Sequence, residues 1–162
     1  MKGKLRNMAG IYITSNDKML LLYRVGSRVI NPSWSNIGGH FEKDELNDAK
    51  AAMLRELNEE VGVNENDLKN IKLRYVTLRL KNDEIRVNYY FFADLKQGVE
   101  VQSNCDEGIL EWVPLEEVNL RKMPFTAQGV LKHYMDIGKA DNKIYAGISM
   151  VDEVKFMPLE EY

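Results

Sequence analysis

Alternating and continuous runs of apolar residues near the start of the chain predict a β-hairpin. Residues 8–15 and 18–25 are rich in β-branched and aliphatic side chains, which favour strands. Asn16 and Asp17 between the two runs are typical of a tight two-residue turn. The next segment, residues 26–40, contains a proline and a pair of glycines, so we expect an irregular loop there.

The pattern changes to that of an amphipathic helix over residues 45–61. Ala, Leu, Met and Glu dominate this stretch, and these residues have high helix propensity. Asp44 or Asn47 could serve as the N-cap, and Gly62 stands where a helix commonly ends. This is the clearest helix that the sequence predicts.

The second half of the chain mixes strand-like and helix-like patterns. Residues 71–80 and 84–95 predict a second hairpin around an Asn-Asp turn. The remaining expected elements are a strand at 109–113, a helical turn at 115–118, a helix at 126–137 and a β-like tail at 143–156. This order predicts an α/β sandwich with a mixed β-sheet, as one domain over residues 1–162 whose tail, 140–162, is the least defined part.

Composition narrows the classes of function. The 162 residues, 44% of them hydrophobic, are enough for one domain with a substantial core, and 22 basic against 25 acidic residues give a net charge of −3. This acidic balance argues against binding a nucleic acid polymer through its backbone, but it permits a small polyanion that arrives with a divalent cation. The single cysteine, Cys105, excludes an internal disulfide, so a cytoplasmic location is expected. The sequence predicts no membrane span and leaves monomer and homodimer open.

Three glutamates share one side of the predicted helix. At about 100° per residue, Glu56, Glu59 and Glu60 fall within an arc of roughly 100°. Neighbouring like charges at these spacings repel one another. Hard oxygen ligands arranged in this way suit Mg²⁺ or Mn²⁺. A solvated acidic surface is the alternative interpretation of the same pattern.

The residues around these glutamates resemble a known motif. Residues 39–63 are similar to the Nudix box, GX5EX7REUXEEXGU, in which U is a bulky aliphatic residue; Arg55 begins a final nine-residue run that matches at every specified position. Nine residues separate Glu45 from Arg55, where the motif has seven. This two-residue insertion leaves open whether Glu45 or Asp48 pairs with Arg55. The resemblance extends over about residues 8–137.

The resemblance to the Nudix family implies a fold, a reaction and a set of residues. It implies an α/β/α sandwich that hydrolyses a nucleoside diphosphate linked to another moiety, with Mg²⁺ or Mn²⁺. The implied catalytic residues are Arg55, which positions the helix, with Glu56, Glu59 and Glu107. The implied metal ligands are Gly39, through its carbonyl, and Glu56, Glu59, Glu60 and Glu107. Asp106 is the rival of Glu107, and a plain surface turn is the alternative for both.

Residues outside the motif suggest which nucleotide is bound. Ile37 stands where the commoner version of the family has proline, and the segment is similar to MutT-related enzymes that remove oxidised purine nucleotides. The expected substrate is therefore a small nucleotide such as 8-oxo-dGTP, cleaved to monophosphate and pyrophosphate. The candidate substrate-binding residues are Arg24, Trp34, Ser35, His40 and Phe125, with core packing as the alternative for the aromatic side chains. Hydrolysis of ADP-ribose, a dinucleotide or a nucleotide sugar, and non-catalytic nucleotide sensing, are the alternative functions.

Overall fold

A computed structural model describes residues 3–25, 31–102 and 104–160 of the chain. The helices are α1 (Ala49–Val61) and α2 (Phe125–Asp136), accompanied by short 3₁₀ turns at Lys43–Glu45, Glu65–Asp67, Leu115–Leu120 and Gly138–Ala140. The strands are β1 (Lys4–Ser15), β2 (Lys18–Arg24), β3 (Ser33–Ser35), β4 (Ile37–His40), β5 (Leu68–Lys81), β6 (Glu84–Leu95), β7 (Asn104–Cys105), β8 (Gly108–Pro114), β9 (Ile144–Ser149) and β10 (Val154–Leu159).

Both predicted hairpins are present. Strands β1 and β2 pair around Asn16 and Asp17, whose φ angles of 48° and 59° are those of a turn that follows the twist of the strands. Strands β5 and β6 pair from Lys81 and Glu84 outward around Asn82, with φ 54°. The Asn-Asp pairs thus supply turn residues that tolerate positive φ.

The prediction of an irregular loop over residues 26–40 is wrong for its second half, where the chain forms β3 and β4. Strands β1 and β2 pair directly only over the three residue pairs nearest the turn, so each strand has a free edge farther along. Strand β3 pairs with β2, and β4 pairs with β1. Gly38 allows the second pairing, since a Cβ there would lie 2.2 Å from the carbonyl oxygen of Ala9. Residues 26–30 of the predicted loop lie outside the described residues.

Helix α1 begins at Ala49, four residues later than predicted. Neither Asp44 nor Asn47 is its N-cap; the side chain of Asp48 accepts a hydrogen bond from the amide of Ala51 at 2.9 Å. The preceding residues form the 3₁₀ turn Lys43–Glu45, which is closed by a reciprocal capping box. Gly62 ends the helix as predicted, with φ 70°.

The sheet is mixed and is covered on both faces by helices. The strand order is β10-β9-β5-β6-β1-β2-β8-β7, with β3 paired to β2 and β4 to β1. The β1–β6 and β5–β9 pairings are parallel. On one face of the sheet, Leu57 of α1 lies in an apolar cluster with Ile11 and Phe91 of the strands. On the other face, Leu131 of α2 lies in a second cluster with Tyr12. The predicted α/β sandwich with a mixed sheet is therefore confirmed, and the strand-like tail forms its edge.

Within the described residues, neither helix has the length and apolar character required to cross a bilayer.

Candidate active site

Arg55 on α1 is the centre of a charged network. Its Nε and one terminal nitrogen donate to the two oxygens of Glu45 at 2.7 and 3.0 Å, a bidentate pairing. Its other terminal nitrogen donates to Glu56 at 2.9 Å and to Glu59 at 3.2 Å. The carbonyl of His40 accepts a further bond at 2.9 Å. One guanidinium group thus holds three carboxylates and the end of β4 together.

The bidentate pairing answers the question that the insertion raised. Glu45, which is 8% exposed, holds Arg55, whereas Asp48 caps the helix. The hydrogen bonds from Arg55 lower the pKa of the Glu45 carboxyl below its ordinary value. The two additional residues therefore lie in the connection before the helix and leave the pairing between Glu45 and Arg55 intact.

Gly39 lets the carboxylate of Glu56 pack directly on the backbone of β4. A Cβ at position 39 would lie 2.5 Å from a carboxylate oxygen of Glu56, so a side chain there would displace this carboxylate from its position. Glu56 therefore has its carboxylate beside the Gly39 backbone. Glu59, one turn away on α1, is 59% exposed at its side chain.

Glu60 lies deepest of the helix glutamates and is 8% exposed. One of its oxygens accepts a hydrogen bond from the amide of Gly38 at 3.0 Å. The other is 3.6 Å from Arg24 but has no hydrogen-bond donor among the described residues. Burial raises the pKa of Glu60 to about 7, against the opposing effect of Arg24. A buried carboxylate oxygen without a donor is costly, and either a proton or a bound cation would satisfy it.

Arg24 at the end of β2 links Glu60 to the turn between β7 and β8. Its guanidinium donates to the carbonyl of Gly38 at 2.9 Å and to the hydroxyl of Ser35 at 3.0 Å. It also pairs with Glu107, whose side chain is 47% exposed. The structure thus brings Glu107 to the α1 glutamates, although it is far from them in sequence.

The acidic side chains surround a cavity of about 290 Å³. Its lining residues are Glu56, Glu59, Glu60, Gln102, Cys105, Asp106 and Glu107. Within the described ranges, no three His, Cys, Asp or Glu side chains are already arranged to hold a metal ion. Arg55 and Arg24 pair with carboxylates of this cluster. The donor set nevertheless fits Mg²⁺ or Mn²⁺: it consists of hard oxygens in excess of the local cations, one of them buried without a donor.

A second cavity, of about 230 Å³, is lined in part by Arg24 and Gly38. Both residues contact Glu60, which lines the first cavity, so the two cavities are neighbours. Sequence reasoning identified Arg24 and Ser35 here but missed Arg79, Arg86 and Asn88. Arg79 and Arg86 face each other across β5 and β6, a relation that the strand register alone reveals. Arg86 pairs with Glu84, whereas Arg79 has no acidic partner among the described residues. The cavity therefore presents hydrogen-bond donors that remain available.

Three of the five residues predicted to bind substrate line neither cavity. Trp34 alternates with Ser33 and Ser35 along β3, so its ring packs toward α2 and lies 4.9 Å from the guanidinium of Arg121. Phe125 at the start of α2 contacts Arg79 and does not line either cavity. The side chain of His40 pairs with Arg6, and burial with nearby arginines lowers its pKa.

This fold and the glutamate motif on α1 define a known class of protein. The NUDIX domain family matches residues 4–134, most of the chain. The chain therefore belongs to the Nudix family, whose members are hydrolases that act on nucleoside diphosphates linked to another group.

Solved structures share the fold at low sequence identity. A MutT protein from Bacillus halodurans is 20% identical, with 94% of this chain and 97% of that chain aligned at a TM-score of 0.67. A Nudix hydrolase from Nitrosomonas europaea is 19% identical over 90% and 79% of the two chains, with a TM-score of 0.72. An Ap4A hydrolase from C. elegans is 18% identical over 85% and 99%, with a TM-score of 0.65. No curated protein sequence matches the chain.

Proposed function

We propose that this protein is a metal-dependent pyrophosphohydrolase whose preferred substrate is an oxidised purine nucleoside triphosphate such as 8-oxo-dGTP. The products are the nucleoside monophosphate and pyrophosphate. The observation that carries the proposal is the excess of carboxylates around Arg55, together with the buried oxygen of Glu60 that has no donor. Cations from outside the chain would remove this imbalance.

Glu56, Glu59, Glu60 and the carbonyl of Gly39 are the groups that would hold Mg²⁺ or Mn²⁺, with Glu107 as an additional ligand. Such ions neutralise phosphate charge and lower the pKa of bound water toward neutrality. The protein itself then needs few cationic groups at the diphosphate, which agrees with the acidic lining of the first cavity.

The residues of the chain position the ligands and the attacking water. Arg55 fixes the orientations of Glu56 and Glu59 through charge-assisted hydrogen bonds. Glu59 is the more exposed of the two and can accept a proton from water on the solvent side of the cavity. Arg24 spans the two cavities and would contact the substrate where the phosphates meet the nucleoside.

The second cavity supports a guanine-type base. Arg79 and Arg86 present only donors, and Asn88 presents both donors and an acceptor. Arginine can donate to the O6 acceptor of guanine, whereas adenine presents an amino donor at that position. In 8-oxoguanine N7 carries a hydrogen and becomes a donor, and the side-chain oxygen of Asn88 is an acceptor that the cavity offers it. A cavity lined in this way favours guanine and its oxidised form over adenine.

A hydrolysis panel with identified products tests the proposal. The panel contains dGTP, 8-oxo-dGTP, dATP, ADP-ribose and a dinucleoside polyphosphate, each with Mg²⁺ and with Mn²⁺, in ¹⁸O-labelled water. We expect the highest kcat/KM for 8-oxo-dGTP, with the label in pyrophosphate because water attacks the β-phosphorus. Glu59→Gln serves as the inactive control.

Each other outcome assigns a different function. Faster cleavage of ADP-ribose or the dinucleotide, without turnover of the triphosphates, would assign the protein to the nucleotide-sugar or dinucleotide hydrolases. Tight nucleotide binding without turnover of any compound would make it a nucleotide-sensing module. Release of inorganic phosphate and a diphosphate would contradict the proposed position of the metals.

A further inference from the structure

Helix α1 covers only part of its face of the sheet. The residues on the remaining part are large and apolar, and we call this surface the bare face. It consists of Leu5, Leu78, Leu80, Ile85, Ile144, Ile148, Met157 and Leu159, with exposed fractions between 36% and 63%. The half-buried Val76, Val87 and Ala146 lie between them.

The strand registers place these residues on one surface. Leu5, Ile85 and Leu80 form one row across β1, β6 and β5. Leu78 and Ile148 are partners across β5 and β9. Ile144 and Leu159 are partners across β9 and β10. Since residues directly opposite in a ladder share a face, the rows form a continuous apolar surface over five strands.

The alternate residues of the same strands show that this surface faces away from α2. Tyr75 on β5 and Tyr145 on β9 are at most 5% exposed and pack in the core beneath α2. Their neighbours in sequence, Val76 and Ile144, therefore lie on the opposite side of the sheet. None of the described elements covers them there.

The bare face has the size of one half of a dimer interface. Burial of a large aliphatic side chain removes up to about 120 Å² of apolar surface, so the eight exposed residues present on the order of 500 Å². A standard interface takes about 800 Å² from each partner, and about 65% of a homodimer interface is apolar. The apolar part of such an interface is therefore about 520 Å² on each partner, close to the apolar area of the bare face. An area of this size is at the upper end of what monomeric proteins expose.

We infer that the bare face is the contact between two copies of this chain, packed face to face. Lys155, the charged residue in these rows of the described strands, lies 3.5 Å from Glu153, so two identical copies would meet with little repulsion. Association through the free edge of β10 is less favourable, because Lys155 and Pro158 on that strand oppose strand addition. Strands β9 and β10 lie at the opposite end of the strand order from β7 and β8, so this part of the contact lies away from the acidic cavity.

Sedimentation equilibrium at micromolar concentrations tests this inference. We expect the wild-type chain to be a dimer and Leu78→Glu to be a monomer, with the dissociation constant raised at least about 100-fold because two charges enter an apolar contact. Leu120→Glu is the matched control, since Leu120 is 81% exposed outside the bare face. It should associate as the wild type does.

A second pair of measurements separates loss of the contact from loss of the fold. Circular dichroism should show the wild-type fold in Leu78→Glu, and Ile148→Lys should repeat the effect from a neighbouring strand. Mixing the two variants should restore a dimer through opposite charges. A monomeric wild-type chain, or a dimer that both folded variants leave unchanged, would overturn the inference and assign the bare face to another occupant.

Discussion

Two arginine-centred networks in this protein are built in opposite ways. Arg74 on β5 is 5% exposed and donates to the carbonyls of Gly138 and Lys143 at 2.7 and 2.9 Å. It pairs with one carboxylate, Asp141, at 2.9 Å, and Tyr145 donates to the other oxygen of Asp141. One positive charge therefore meets one negative charge. Around Arg55, by contrast, one positive charge meets three carboxylates.

The comparison separates a network whose charges balance from one whose charges do not. The Arg74 network is complete within the chain and ties the connection after α2 to the sheet. The Arg55 network retains an excess of negative charge, and Glu60 beside it has an oxygen without a donor. Like charges held together raise the free energy of the folded state, and the cation that we propose for this site would remove that cost.

The largest expected effect is the loss of activity when one of the carboxylates of the α1 cluster is neutralised. Glu59→Gln and Glu60→Gln should each lower kcat by about 100-fold or more, because metal stabilisation of the transition state is worth several kcal/mol. Steady-state kinetics at saturating metal measures this. Glu116→Gln, on the exposed 3₁₀ turn after β8, is the matched control and should be fully active.

Breaking the balanced network should affect stability and leave the chemistry unchanged. Arg74→Met removes the donor from the carbonyls of Gly138 and Lys143 and the positive charge beside Asp141, so we expect the free energy of unfolding to fall by about 3 kcal/mol. Urea denaturation measures the change. Below the melting transition, kcat per folded molecule should equal that of the wild type; a large loss of kcat would show that this region also serves catalysis.

Arg55→Ala should lower both kcat and the stability of the fold. The variant leaves the buried Glu45 without its main partner and releases Glu56 and Glu59, so kcat should fall about 10-fold or more and the melting temperature should also decrease. Arg55→Lys should recover little, because an ammonium group cannot reproduce the bidentate pairing. A changed KM with an unchanged kcat and melting temperature would instead indicate that Arg55 contacts the substrate.

The smallest effect concerns Glu60 in the metal-free protein. Its folded-state pKa of about 7 lies above the ordinary carboxyl value, so the folded state binds the proton more tightly than the unfolded state. The ionised Glu60 carboxylate therefore destabilises the folded state. This destabilisation is absent below about pH 4, where the carboxyl is protonated in both states, and complete above about pH 7. With chelator present, Glu60→Gln should be more stable than the wild type by on the order of 2 kcal/mol at pH 8 and nearly equal to it at pH 4. Melting curves at the two pH values measure the difference.

The sequence was informative where local spacing determines the geometry. The face shared by Glu56, Glu59 and Glu60 follows from helical periodicity, and the two hairpins follow from Asn-Asp turns. The pairing of Glu45 with Arg55 could not be chosen from spacing, because the insertion allowed Asp48 as well. The structure decides between them, because Arg55 donates to both oxygens of Glu45 while Asp48 caps α1.

The residues that the sequence did not reveal are brought together by strand register. Arg79 and Arg86 lie on different strands and meet only because β5 and β6 pair at those positions. Trp34 precedes the glycines of the motif, yet the alternation of side chains along β3 turns it toward the α2 core. Strands as short as β3 and β4 form because their neighbours β2 and β1 diverge, a tertiary effect that local propensity does not contain.

Direct binding of Mn²⁺ to the chelator-treated protein tests the central claim, that the carboxylate excess on α1 is a cation site. Electron paramagnetic resonance of free Mn²⁺ during a titration gives the affinity without any substrate. We expect saturable binding by the wild type, equal binding by Arg74→Met, and at least about 10-fold weaker binding by Glu60→Gln. Undetectable binding by the wild type, or equal binding by Glu60→Gln, would contradict the account.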